Sequence, residues 1–174
     1  MKFTDISNFN NLSDYLPILN GAILTDAIGI LLLFTKNIKS KYLTEWYKKY
    51  QLSAVIMDVL ILVIGVILAR VLYPVLFPSR FSIWFFIGLA VAIQIAHDIL
   101  FAVAFNAVPR GKSGIMDLFK DYGKELGVWI LLADAIMIIS TILFGSLFAS
   151  LNTNMNIVIL IVLVYLIPYL LYSV

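Results

Sequence analysis

Four aspartates stand out because each lies alone inside a long apolar stretch of the sequence. They are Asp26, Asp58, Asp98 and Asp134. Carboxylates in that setting can carry protons, or supply the oxygen ligands that Ca²⁺, Mg²⁺ and Mn²⁺ prefer. His97 adjoins Asp98 and would also allow Zn²⁺ or Fe²⁺, while Gln94 lies one helical turn before Asp98 on the same face.

An ionised aspartate inside a membrane is expensive, at ~2.5–3.5 kcal/mol on insertion scales. No lysine or arginine lies at the depth of the four aspartates. Arg70 is twelve residues beyond Asp58, and we expect it to snorkel to the opposite interface. Three arrangements remain open: protonated carboxyls, a cation bound among them, or hydrogen bonds to neighbouring polar groups and water.

The composition indicates the elements that must position these side chains. Apolar residues make up 63% and charged residues 13% of the 174 residues, against ~45–50% and ~25% in soluble domains. The mean hydropathy is +1.03. These values exclude a soluble enzyme domain, a disordered chain and a nucleic-acid-binding module, and the absence of cysteine excludes disulfides and thiolate metal centres. The sequence predicts an all-α, polytopic membrane protein.

Five apolar stretches are long enough to cross a hydrocarbon core of ~20 helical residues. They are Leu16–Phe34, Leu52–Leu72, Ile83–Phe105, Val128–Leu151 and Ile157–Leu171. We expect a polar N-terminal arm at 1–15, then a four-helix transmembrane bundle at 16–151 made of two hairpins, 16–72 and 83–151. A fifth transmembrane helix would follow at 157–174.

The positions of the basic residues predict the orientation, since loops rich in lysine and arginine stay in the cytoplasm. Nine of the twelve basic residues lie in the two loops 35–51 and 106–127. The other three, Lys2, Arg70 and Arg80, lie towards the opposite side. The N-terminus is therefore predicted to be outside.

With this orientation the four aspartates share one depth, roughly 9–13 Å from the cytoplasmic ends of their spans at ~1.5 Å per residue. We call Asp26, Asp58, Asp98 and Asp134 the aspartate layer. The two hairpins also match weakly: with Asp58 aligned on Asp134, an offset of 76, Trp46 aligns with Tyr122. An acidic–aromatic–x–Lys stretch then precedes the aspartate in both hairpins.

Two further patterns concern packing and lipids. Gly21, Thr25 and Gly29 place small residues at every fourth position, which favours close helix packing. Seven basic residues of the predicted cytoplasmic loops are candidates for anionic lipid headgroups. They are Lys36, Lys39, Lys41, Lys48, Lys49, Arg110 and Lys112.

A segment of about 40 residues, 97–134, carries a resemblance to a known group in four stretches. The stretches are His97–Phe101, Pro109–Gly111, Asp117–Glu125 and Ala133–Asp134. They resemble uncharacterised multi-pass membrane proteins of large double-stranded DNA viruses. The resemblance implies a viral or host internal membrane, and it implies no activity.

The leading hypothesis is cation handling, of protons or a divalent metal, by a channel, transporter or sensor. The aspartate layer would supply the ligands or proton carriers, assisted by His97 and Gln94. The alternative is a non-catalytic membrane scaffold whose aspartates are interhelical hydrogen-bond partners. A membrane-embedded, metal-dependent lipid enzyme is the third. The expected partners are the bilayer, anionic lipid and a second copy of the chain, with no nucleic acid.

Overall fold

A computed structural model describes residues 3–78 and 81–172, and in these ranges it contains helices and no strands. The helices are α1 (Tyr15–Phe34), α2 (Lys41–Tyr50), α3 (Leu52–Leu76), α4 (Ile83–Ala107), α5 (Gly114–Leu126), α6 (Trp129–Phe148) and α7 (Thr153–Tyr172). Within the described ranges, α1, α3, α4, α6 and α7 are long and apolar enough to cross a membrane. The predicted class, a multi-pass α-helical membrane protein, fits this architecture.

The predicted ends of three spans were wrong by a few residues. The second span continues to Leu76 through Pro74, which lacks the amide that would donate to the Arg70 carbonyl and lies two residues before the helix end. The fourth span stops at Phe148, and the fifth begins at Thr153. The side-chain amide of Asn156 explains the earlier stop, because it donates to the Phe148 carbonyl at 2.9 Å. Pro168 lies inside α7, which continues to Tyr172.

Helix α1 is the most buried of the five membrane-spanning helices and packs most closely against α6. A Cβ atom on Gly21 would lie 2.7 Å from both the Gly145 nitrogen and the Thr141 carbonyl oxygen. The expected small-residue contact is therefore confirmed at Gly21. It was wrong for Gly29, where a Cβ would meet no atom within 4 Å.

Two amphipathic helices, α2 and α5, each connect one membrane-spanning helix to the next and pack against each other. Ser40 and Ser113 cap their N-termini by accepting bonds from backbone amides. Their C-caps adopt nearly the same conformation, with φ 48° at Gln51 and φ 54° at Gly127. These two turns are 76 residues apart, the offset at which the two hairpins align in sequence.

The N-terminal arm folds back over the bundle, and Arg70 secures it. The Arg70 guanidinium is 0% exposed, donates to the carbonyls of Asn8 and Asn11, and lies 3.2 Å from the Asp14 carboxylate. It also stacks 4.4 Å from the centre of the Tyr15 ring. The expectation that Arg70 snorkels to the interface was wrong, because the arm supplies its acceptors inside the fold. Lys2 and Arg80, used in predicting orientation, lie outside the described residues.

Candidate functional site

A tyrosine of α2 connects two of the four aspartates. The Tyr47 hydroxyl lies 2.7 Å from Asp26 Oδ1 on α1 and 2.8 Å from Asp58 Oδ2 on α3. Asp26 is 0% exposed, and its second oxygen has no hydrogen-bond partner among the described residues. No basic side chain forms an ion pair with either carboxyl in this part of the chain. One neutral hydroxyl therefore lies between two buried acids.

Trp46, the residue before Tyr47, completes this group. Its indole Nε1–H donates to Asp58 Oδ2 at 2.9 Å. Both aromatic side chains are buried, whereas Glu45 and Lys48 on either side are exposed. The amphipathic pattern of α2 thus turns Trp46 and Tyr47 towards the bundle. Sequence analysis identified neither as a site residue, although an amphipathic helix just before a span that contains an aspartate was the available signal.

The Tyr47 phenol keeps its proton near neutral pH. Burial raises its pKa well above the usual value of 10, and the carboxylates of Asp58 and Asp26 raise it further. Both carboxyls also hydrogen-bond to the hydroxyl, which disfavours the phenolate again. Tyr47 therefore brings a single hydrogen to two acidic neighbours.

Asp98 has a different environment. Gln94 Nε2 donates to Asp98 Oδ1 at 2.8 Å, and His97 Nδ1 lies 3.1 Å from the same oxygen. All three residues belong to α4, so these bonds do not connect helices. The second Asp98 oxygen is buried without a partner among the described residues. Gln94 and His97, which were predicted to assist the aspartates, therefore both contact Asp98.

The second hairpin also contributes Asp134 of α6, with Tyr122 of α5 near it in sequence. No hydrogen bond joins the Asp134 carboxyl to another described residue, but it interacts electrostatically with Asp98 and Asp58. Burial raises the pKa of Tyr122, and the charges of Asp134 and Asp58 raise it further. Tyr122 of α5 therefore interacts electrostatically with these carboxyls, as Tyr47 of α2 does with Asp26 and Asp58.

The structure does not bring the four aspartates together at one centre. Among the described residues, no group of three or more histidine, aspartate or glutamate side chains is placed to hold a metal ion. The layer instead consists of the bridged pair Asp26–Asp58 and the separate carboxyls of Asp98 and Asp134. The divalent-metal site predicted from these residues and His97 has no such ligand group in the described structure.

Two buried hydroxyls without a hydrogen-bond partner in the described ranges lie in the interior of the bundle, beyond the aspartates. The hydroxyls of Thr25 and Thr141 are buried and have no partner among the described residues. Buried polar groups usually bond to protein or to ordered water. Thr25 adjoins Asp26, and Thr141 lies at the close contact between α1 and α6. These hydroxyls supply polar positions from which water could reach the Asp26 carboxyl.

The two amphipathic helices are tied together by a carboxylate at the end of α5. The Glu125 carboxylate, at the end of α5, accepts bonds from Ser40 Oγ at 2.6 Å and from the Lys41 amide at 2.7 Å. Partial burial raises the pKa of Glu125, but these bonds and that from the Tyr42 amide outweigh it, so the pKa is lowered overall. This link holds α2, with Trp46 and Tyr47, in register with α5.

Comparisons with protein-family models, with curated proteins and with solved structures give no match for this chain. The functional argument therefore rests on the geometry of the site.

Proposed function

We propose that this protein binds protons inside a membrane and transfers them between buried carboxyls, as a channel, transporter or sensor. The observation that carries the proposal is the Tyr47 hydroxyl, within hydrogen-bond distance of both Asp26 and Asp58. The site has no basic partner and no three-residue ligand group for a divalent metal in the described ranges, so the proton is the cation that fits it best.

Counting hydrogens supports a bound proton. A phenol donates one hydrogen bond, so Tyr47 can donate to only one of its two carboxyl neighbours. The other contact is a hydrogen bond only if that carboxyl is protonated and donates to the phenol oxygen. If neither acid held a proton, an anionic oxygen would lie against a lone pair, which is unfavourable in a buried site. One proton is therefore assigned to the Asp26–Tyr47–Asp58 group.

The surroundings assign that proton to Asp26. Asp58 Oδ2 already accepts from the Trp46 indole, a contact that suits a carboxylate. Asp26 is fully buried and Tyr47 is its one hydrogen-bond partner among the described residues, so its neutral form costs less to bury. The Asp134 charge and the Tyr122 phenol also face Asp58. They are the other titratable groups that influence this pair.

This arrangement gives a balanced transfer step. The Asp26 proton passes to the Tyr47 oxygen while the Tyr47 proton passes to Asp58 Oδ2. One O–H bond breaks and one forms at the tyrosine, which ends neutral as it began. The net result is the movement of one proton from the α1 carboxyl to the α3 carboxyl.

The proposal includes the predicted membrane arrangement. The four helices that carry aspartates form the working bundle with α7 beside them, and the N-terminus is outside. Helices α2 and α5 then face the cytoplasm, so Tyr47 and Tyr122 lie on the cytoplasmic side of the aspartate layer. The basic loops 35–51 and 106–127 support this orientation.

Proton flux into vesicles tests the function. Purified protein is reconstituted into liposomes that contain a pH-sensitive dye, and a pH gradient is imposed across the membrane. We expect wild-type protein to dissipate the gradient faster than protein-free liposomes, and Asp26→Asn to lose this activity. Glu45→Gln is the matched control, because it removes an exposed carboxylate from α2 and leaves the buried pair intact.

Two results would count against a conducting protein. One is wild-type flux equal to that of empty liposomes. The other is Asp26→Asn protein, folded to the same extent by circular dichroism, that conducts like the wild type.

A scaffold is the second candidate, and one observation favours it. The bonds from Tyr47 and Trp46 to Asp26 and Asp58 also anchor α2 against α1 and α3. A scaffold needs these hydrogen bonds and not the charge, so Asp26→Asn and Asp58→Asn should keep wild-type stability. A sensor or transporter should instead lose its pH response in the same variants.

A further inference from the structure

A cavity of about 300 Å³ lies where α1 meets the loop before α2, away from the aspartates. Its lining is Leu33, Phe34, Lys36, Ile38, Lys39, Ser40, Thr44 and Lys48. Apolar side chains of α1 form one part of this wall, and lysines form another. Because α1 is a membrane-spanning helix that ends at Phe34, the cavity lies at the level of the lipid headgroups in the proposed arrangement.

The lining of the cavity carries positive charge, and the one carboxylate bonded to it among the described residues is that of Glu125, which accepts from Ser40 Oγ at 2.6 Å. The cavity itself is lined by three lysines and by no acidic residue. Within the described structure, Lys36, Lys39 and Lys48 form no ion pair, whereas Arg110 is paired with Asp121 at 2.6 Å. Three lysine residues in the lining of one cavity are complementary in charge to the phosphate group of a ligand.

The backbone at Lys36 supplies an independent observation. Lys36 has φ +63°, the left-handed conformation that ends many helices and that glycine adopts with the least strain. Its amide donates to the Leu33 carbonyl at 3.0 Å, and the Asn37 amide donates to the Leu32 carbonyl at 2.9 Å. The turn that begins at Lys36 ends α1 and brings Lys36, Ile38 and Lys39 into the lining of the same cavity.

We propose that this cavity binds the phosphate group of an anionic phospholipid, with Lys36, Lys39 and Lys48 around the phosphate. The acyl chains would extend along Leu33 and Phe34 towards the membrane interior. A free phosphate would leave this apolar wall without a partner, so the lipid fits the lining better. The proposal does not depend on proton binding, because it uses no residue of the aspartate layer.

Lipid association measured by electron spin resonance tests the site. Full-length protein is reconstituted in phosphatidylcholine, and the probe is a spin-labelled phosphatidic acid compared with spin-labelled phosphatidylcholine. We expect the wild type to select phosphatidic acid. Lys39→Gln and Lys48→Gln should each weaken that selectivity about fivefold, as expected for one juxtamembrane charge. Lys124→Gln is the control, since Lys124 is an exposed lysine of α5 and lies outside the cavity lining.

Lys36→Gly separates binding from folding. The substitution removes the ammonium group and also relieves the left-handed backbone, so the protein should melt no lower than the wild type while losing lipid selectivity. Gln51→Gly is the matched variant: it relieves the positive φ of 48° at the end of α2 and leaves the three lysines in place. It should keep wild-type selectivity.

Three outcomes would overturn the proposal. Equal weakening by Lys124→Gln would show diffuse attraction to the basic segments in general. Displacement of the lipid probe by inorganic phosphate would show a site for a free anion. Unchanged selectivity in Lys36→Gly, Lys39→Gln and Lys48→Gln would show that the cavity does not bind the phosphate.

Discussion

At the scale of single residues, proton binding depends on a mismatch between one donor and two acceptors. Tyr47 lies between Asp26 and Asp58, and its phenol supplies a single hydrogen. Asp98 illustrates the contrast, because Gln94 and His97 of its own helix bond to one of its oxygens. The chemistry that we assign to the layer therefore concentrates on the Asp26–Asp58 pair.

Tyr47→Phe tests the bridge directly. The substitution keeps the ring and removes the hydroxyl, so the two carboxyls lose their connection and vesicle flux should fall to the background rate. Leaving a buried carboxyl without its hydrogen bond should also lower the free energy of unfolding by about 1–3 kcal/mol. Flux and chemical denaturation are measured on the same preparation. Flux equal to the wild type would exclude the tyrosine from the proton path.

Infrared spectroscopy tests the protonation of Asp26 without any flux. A protonated carboxylic acid has a carbonyl stretch that a carboxylate lacks, and we expect Asp26 to contribute such a band at neutral pH. It should disappear in Asp26→Asn and remain in Asp134→Asn. A band lost in Asp58→Asn and kept in Asp26→Asn would place the proton on the other member of the pair.

At the scale of elements, close packing and caps hold the site in place. Helix α1 approaches α6 at Gly21, and the α2–α5 pair is closed by Glu125. The first contact fixes the helix that carries Asp26. The second fixes the helix that carries Tyr47, so both members of the hydrogen bond depend on packing at a distance from it.

Gly21→Ala should destabilise the bundle. The new methyl group would lie 2.7 Å from two backbone atoms of α6, which cannot move aside as a flexible side chain would. The expected loss is about 1–3 kcal/mol, typical of overpacking, measured by thermal melting in detergent. Gly29→Ala is the matched control on the same helix, where a Cβ meets no atom within 4 Å. Equal melting temperatures would show that α1 and α6 pack less closely.

The Glu125 link predicts a pH dependence. The pKa of Glu125 is lower in the folded protein than its ordinary value of 4.5, so its stabilising contribution is present above that value. It is lost as the pH falls through the lower, folded pKa. Glu125→Gln should therefore melt below the wild type at neutral pH, and the difference should shrink on acidification. A constant difference from neutral to acidic pH would contradict the role of the charge.

At the scale of the whole molecule, five helices long and apolar enough to cross a membrane define a multi-pass architecture, and the orientation remains a prediction. The sequence contains no cysteine. A single introduced cysteine is therefore the one thiol in the protein, and its labelling shows on which side of the membrane it lies. A cysteine at Lys112 should react with an impermeant maleimide only from the cytoplasmic side. A cysteine at Asn10 should react only from the other side. The reverse labelling pattern would invert the membrane arrangement.

The N-terminal arm shows how far distant parts of the chain cooperate. Residues near Asn8 and Asp14 surround the Arg70 guanidinium of α3, and the Ser146 hydroxyl of α6 donates to the Thr4 carbonyl at 2.7 Å. The arm was predicted to be a polar extension. It packs instead as part of the fold, because an arginine buried in the bundle needs oxygen acceptors close to it.

The sequence alone determined the class of the protein and the positions of its aspartates. The length and hydropathy of each apolar stretch are local properties, and a membrane-spanning helix depends mainly on them. The four isolated aspartates are likewise evident from the sequence, because each one interrupts a single apolar stretch. Helix ends were less certain, since caps such as Asn156 come from residues beyond the helix.

Only the tertiary structure decided which groups meet. The rotation of α2 brings Trp46 and Tyr47 to Asp58, and the packing of α1 brings Asp26 to the same hydroxyl. The depth predicted from the sequence put all four carboxyls at one level of the membrane. Depth, however, does not fix the direction in which each side chain points. Those directions follow from helix rotation and contacts between distant segments, so a bridged pair formed where the sequence suggested a single layer.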